Sequence, residues 1–217
     1  MNSPLRVLIM DSQPVMRDGV VSLIAGSMNC AVSAEDGGFS KAPGRILKER
    51  IDLVIADFRI HAETALPFLE TLGKTAKGTR CLIFSAFDEA QVGYPCMRAG
   101  ASGFVSKFAP ADKLVEAART VLDGRHYVSE KLAKALMGKQ DSKLKGSAGA
   151  LLSARELDVF SMIGGGMTVS EIAARLGISV KTVEAHRENI KNKLGCGNAS
   201  QVVAAATRWL DETTVVI

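Results

Sequence analysis

The first 125 residues alternate strictly between short β-rich runs and helix-length segments, and this alternation limits the fold more than any other feature of the chain. The runs lie at 6–10, 31–34, 53–56, 81–84 and 103–105. The longer segments fall at about 14–26, 38–50, 63–77, 88–99 and 110–123. Five β and five α units in this order predict right-handed crossovers and a parallel sheet with helices on both faces. The runs LVIA and LIF carry no polar alternation, as strands buried on both sides require.

The pattern changes near residue 126. The stretch 131–149 (KLAKALMGKQDSKLKGSAG) is rich in Lys, Gly and Ser. It predicts a helical tail followed by a linker. Beyond residue 150 only helical signals remain. Ser153 with Glu156, Thr168 with Glu171, and Asn198 with Gln201 have the spacing of capping boxes, and Ser179 caps a further helix. The expected organisation is an α/β domain over 1–125, a basic connection over 126–149, and a small four-helix domain over 150–217.

Charge divides along the same boundary. Lys+Arg total 27 against 23 Asp+Glu, and residues 1–130 carry equal numbers of the two. The net +4 therefore lies in the remainder, where 131–145 alone set five lysines against Asp141. Such a stretch fits either a polyanionic partner or a solvated linker. The longest unbroken apolar run, 202–206, is far below the roughly 20 residues of a spanning helix. The apolar stretch before Asp11 is too short for a signal peptide. A cytoplasmic protein without a membrane partner is the expectation. Cys30, Cys81, Cys96 and Cys196 show no C-x-x-C spacing, and the three histidines are far apart. Buried thiols fit better than a zinc or redox site.

In an open parallel sheet, ligands bind beyond the carboxyl ends of the strands. Asp11, Asp57, Ser85 and Lys107 each fall at such an end. Any one of them could simply cap a loop, but all four belong to one rim. A carboxylate, a hydroxyl and an ammonium there suit a phosphoryl group: the carboxylate accepts it and the other two hold its oxygens. An aspartate nucleophile also fits a phosphohydrolase. That chemistry asks for a second Asp two residues on as general acid, and Arg59 stands there. An enzyme is therefore not expected.

VLIM-Asp11, VIA-Asp57, IF-Ser85-Ala86 and GASGFVS-Lys107 resemble, in order and spacing, the receiver domain of two-component response regulators. The resemblance implies a flavodoxin-like, doubly wound, five-stranded sheet of order 2-1-3-4-5. It makes Asp57 the phosphoacceptor, Ser85, Phe104 and Lys107 the switch residues, and Asp11 with Asp57 the carboxylates that hold Mg²⁺. It also implies a sensor histidine kinase, or another protein, as partner of the receiver. The chain departs from this pattern in three places. Ser12 stands where the family has a second acid, so Mg²⁺ binding and phosphorylation are expected to be weak. His61 and Ala65 replace a proline and a glycine after Asp57. Gly93 and Pro95 fall inside the fourth helix, which is expected to be short or displaced, since proline costs about 3 kcal/mol in a helix interior.

Residues 168–176, a turn at Gly177–Ile178, and 179–194 form a helix-turn-helix pattern. On the second helix Val183, Ile190 and Leu194 share one face, while Lys181, Ala185, Glu188 and Asn192 form another stripe flanked by Glu184. That stripe suits a major groove or an ordinary solvated face. L-S-A-R-E from Leu152, GMTVSEIAARLGISVKTVEAH and KNKLG resemble the LuxR-type DNA-binding domain. With the receiver, the chain resembles the NarL/FixJ group. The resemblance implies a homodimer on double-stranded DNA, with the last helix as its contact. Lys181, Thr182, Arg187 and Lys193 would lie at phosphates, Glu184, Ala185 and Glu188 at bases, with Lys191 and Asn192 on the same surface. The competing expectation is a pseudo-receiver adaptor that works through protein contacts, with little or no specific DNA binding.

Overall fold

The computed structural model describes residues 4–137 and 148–213. Most of the lysine-rich stretch lies outside the described residues.

Strands β1 (Leu5–Met10), β2 (Cys30–Glu35), β3 (Leu53–Ala56), β6 (Arg80–Ser85) and β7 (Gly103–Ser106) form one parallel sheet of order β2-β1-β3-β6-β7. This is the order 2-1-3-4-5 expected from the sequence. β1 pairs with β3 from Val7↔Leu53 to Met10↔Ala56, and β3 with β6 from Leu53↔Arg80 to Ala56↔Ile83. Alternate side chains point to opposite faces. Val7, Ile9, Leu53, Ile55, Leu82 and Val105 pack against helices α1 (Pro14–Ser27) and α5 (Ala111–Leu122). Leu8, Met10, Val54, Ala56, Ile83 and Phe104 face α2 (Ala42–Glu49), α3 (Leu66–Thr75) and α4 (Glu89–Ala99). This second core continues into the C-terminal helices without a break.

Two expectations need correction. The segment 63–77 does not begin as helix. A small antiparallel hairpin, β4 (Arg59–Ile60) with β5 (Glu63–Thr64), occupies its start and leads into α3. Its tip, His61, is left-handed at φ 55, and the His61 ring lies 2.9 Å from the Asp36 carbonyl oxygen. The fourth helix is also not short: α4 runs eleven residues with Pro95 inside it. Pro95 has no N–H for the carbonyl of Gln91, and its ring crowds that carbonyl. Neighbouring segments fill the resulting irregular face. A Cβ on Gly149 would lie 2.5 Å from Gln91 O and 3.1 Å from Pro95 Cγ, so helix α7 (Ala148–Leu151) rests directly on it. A Cβ on Gly93 would lie 2.9 Å from Leu132 of α6 (Glu130–Leu136), which is buried there.

The last helices are α8 (Ala154–Gly164), α9 (Val169–Leu176), α10 (Val180–Leu194) and α11 (Ala199–Thr213). Complete capping boxes start α8 at Ser153 and α9 at Thr168. Ser179 accepts from the Thr182 N–H, and Asn198 from the Gln201 N–H. Gly177, left-handed at φ 63, ends α9 and turns the chain into α10. None of the described helices is long and apolar enough to cross a membrane.

Candidate functional site

Four strand ends place four side chains at one rim. Asp11 follows β1, Asp57 follows β3, Ser85 closes β6 and Lys107 follows β7. All are nearly enclosed. Lys107 Nζ lies 2.6 Å from Asp11 Oδ2 and 2.7 Å from Asp57 Oδ2, bridging the two carboxylates. Asp57 Oδ1 accepts from the Phe58 N–H at 2.7 Å and from the Ser85 hydroxyl. Asp11 Oδ1 accepts from the Gln13 N–H at 2.8 Å, and the Asp11 main-chain carbonyl from Arg17 at 2.8 Å. Burial pushes the Asp57 carboxyl above its ordinary range, and the Lys107 ammonium and Ser85 hydroxyl pull the other way. Asp57 Oδ2 faces the lysine.

The donor set is poor for Mg²⁺. This ion demands near-octahedral oxygen ligands, usually with more than one carboxylate. Here the lysine ammonium already spans the two carboxylates present, and Ser12 adds no charge. No three of the described His, Cys, Asp and Glu side chains gather as a metal site would need. The residues do not fit a tight metal site. Phe104 is buried behind the rim, and its N–H donates to the carbonyl of Tyr127, in the segment leaving α5. The Arg59 guanidinium sits 5.5 Å from the centroid of the Phe87 ring beside the site.

The second surface is α10. Val183 and Ile190 are fully buried, and Leu194 is partly so. Lys181, Thr182, Glu184, Ala185, Glu188, Asn192 and Lys193 are exposed, and Arg187 and Lys191 are half-buried. At about 100° per residue, Lys181, Glu184, Ala185, Glu188 and Asn192 share one outward stripe. Lys191 pairs with Glu188 at 2.6 Å. Lys193 lies to the side, roughly 120° round the helix from Lys181, with its ammonium 2.6 Å from Glu156 of α8. Burial opposes ionisation of Glu156, but Lys193 and the N–H and hydroxyl of Ser153 outweigh it and hold the carboxyl below its ordinary range. On α11, Val202, Ala206, Trp209 and Leu210 are buried while Val203 is exposed.

Sequence reasoning missed the contact between the two halves. Helix α8 is buried from Glu156 to Ile163. An amphipathic surface helix buries one stripe only, so a helix buried all round has a second neighbour. The apolar residues of VFSMI at 159–163, spread round more than one stripe, were a legible sign of this. The second neighbour is the receiver: Asp158 Oδ1 accepts from the Thr64 main-chain N–H of β5 at 2.8 Å.

Comparison with known proteins agrees with this architecture. The response regulator receiver domain matches residues 7–119, and the DNA-binding domain of bacterial regulatory proteins of the luxR family matches residues 150–206. The oxygen regulatory protein NreC of Staphylococcus aureus (strain bovine RF122 / ET3-1) is 30% identical over 213 residues, covering 94% of this chain and 97% of NreC. A LuxR-family two-component response regulator from Aurantimonas sp. SI85-9A1 is 26% identical with a TM-score of 0.57, over 63% of this chain and 98% of that one. The RcsB response regulator of Salmonella typhimurium shares the fold at 18% identity, with a TM-score of 0.73 over 98% of this chain and 100% of that one. The chain belongs to the response regulators, in the NarL/FixJ arrangement of a receiver followed by a LuxR-type DNA-binding domain.

Proposed function

We propose that this transcriptional regulator acts in the cytoplasm and binds double-stranded DNA as a homodimer, with α10 in the major groove, and that phosphorylation of Asp57 is impaired. Residues 1–125 form the receiver, 126–149 the connection and 150–217 the DNA-binding domain. The observation that carries this reading is the exposed stripe of Lys181, Glu184, Ala185, Glu188 and Asn192 on the second helix of a capped helix-turn-helix. Second helices of this kind meet base edges, while flanking cations meet phosphates. Lys181, Thr182, Arg187, Lys191 and Lys193 take the phosphate side, and Lys193 does so by leaving or sharing Glu156. RcsB has been solved bound to promoter DNA and as dimers on DNA. For this chain, the exposed Val203 face of α11 supports a dimer contact.

The chemistry of the rim supports impaired phosphorylation. Lys107 closes over both carboxylates, Ser12 supplies no third one, and Mg²⁺ binding is weak. Control then reaches the receiver through a protein partner, a sensor kinase included, more than through a stable phosphoryl group. An adaptor without specific DNA binding is favoured by one observation only: two glutamates stand in the stripe, and Lys191 is engaged with one of them. Selection from a random DNA library with the full chain decides between the two. The regulator returns a motif of two related half-sites. A pool that gains no motif, together with no gel shift, supports the adaptor.

A further inference from the structure

The seam between receiver and DNA-binding domain contains a buried carboxyl that neither phosphotransfer nor DNA reading uses. Asp158 is 2% exposed and Thr64, against it, 1%. Asp158 Oδ1 accepts from the Thr64 N–H, and Oδ2 lies 3.4 Å from the Arg155 guanidinium on the same helix. Thr64 belongs to the hairpin that begins two residues after Asp57, and the next residue, Ala65, donates to the carbonyl of Phe58 at 2.7 Å. The Phe58 N–H in turn donates to Asp57. A short run of main chain therefore joins the phosphoacceptor to α8. We propose that Asp158 and the Thr64 amide form a proton-sensitive latch that holds the DNA-binding domain on the receiver.

Three of the elements around Asp158 bring charge to it. β5 brings Glu63, of like charge, and α8 itself brings Arg155. α9 brings Arg175 to the same cleft of ≈ 230 Å³, where it is exposed, and α3 brings only Pro67, Phe68 and Thr71. On α10, Lys193 is held by Glu156 of α8, and among the described residues no cation of α10 acts on Asp158, while α11 meets α8 through Ala206 and Trp209. Burial pushes the Asp158 carboxyl up to about 6, against the pull of the Thr64 amide and Arg155. With the domains apart it returns to water, where an aspartate titrates near ~3.9. The docked state thus holds its proton more firmly. Docking tightens as pH falls through about 6, and it levels off at its weaker value once pH has risen past that point. Between about pH 7.5 and about pH 5 the docking equilibrium should shift by about tenfold.

The test uses the full chain without DNA, so it stands apart from the question of DNA binding. Hydrogen exchange of the Thr64 amide, corrected for its intrinsic pH dependence, reports whether the latch is closed. In the wild type, protection should rise about tenfold from about pH 7.5 to about pH 5. Asp158→Asn keeps the acceptor and removes the charge, so protection should stay constant with pH and exceed that of the wild type at both pH values. Asp158→Ala should lose the protection, with thermal unfolding followed to confirm that both domains remain folded. Unchanged protection in Asp158→Ala would overturn the latch. A pH dependence that persists in Asp158→Asn would overturn the role of its proton.

Discussion

Lys107 carries the main tension at the rim. Its ammonium bridges two carboxylates and offsets the charge of one of them. A third carboxylate would shift that balance. Ser12→Asp should raise Mg²⁺ affinity by about tenfold or more, because an added unit charge within a few ångströms of a divalent ion exceeds 1.4 kcal/mol even at an effective dielectric constant of about 20. Calorimetric titration checks this. The same variant should gain phosphodonor labelling, and adding Asp57→Asn should abolish it. On the DNA side, Glu188→Ala frees Lys191 from its 2.6 Å partner. It should raise affinity for random DNA while altering the motif selected from a library, since base-facing groups specify and phosphate contacts position. An unchanged motif would place Glu188 away from the bases.

The elements show how far the sequence could be read. All five sheet strands were legible from apolar runs such as LVIA, which suit double burial, while their order came from the resemblance to receiver domains. Asp11, Asp57, Ser85 and Lys107 were legible because strand ends fix direction. The hairpin after Asp57 was not: RI and ET are two residues each and carry no period. Pro95 was misread for a related reason. Helix propensity counts the lost hydrogen bond but not the partner that covers the exposed carbonyl. That partner makes a prediction. Gly149→Ala would set a Cβ 2.5 Å from Gln91 O, a main-chain atom that cannot swing aside. The substitution should therefore loosen α7 from α4 at a cost of about 1–3 kcal/mol. Denaturant unfolding of the full chain reads this, and hydrogen exchange in α4 should rise with it.

Across the whole molecule, one core cluster runs from beneath the sheet through α3 and α4 into α8 and α11. The receiver docks on the α8 side, and the stripe of α10 stays exposed. The docked arrangement therefore leaves the outward stripe of α10 open. The fragment from about residue 148 has its own capped helices and should fold alone. It should bind DNA with an affinity that falls steeply with salt, and Lys181→Ala should lower the salt slope by about 1. Fragment binding that ignores salt would count against the phosphate contacts. We propose a response regulator that binds DNA without depending on phosphate at Asp57. The most direct measurement incubates the full chain with a small phosphodonor and Mg²⁺, then records intact mass and affinity for the selected DNA on the same sample. Little or no added phosphoryl mass and unchanged DNA affinity are expected, with Asp57→Ala binding as the wild type does. Stoichiometric labelling within minutes, together with loss of DNA binding in Asp57→Ala, would contradict it.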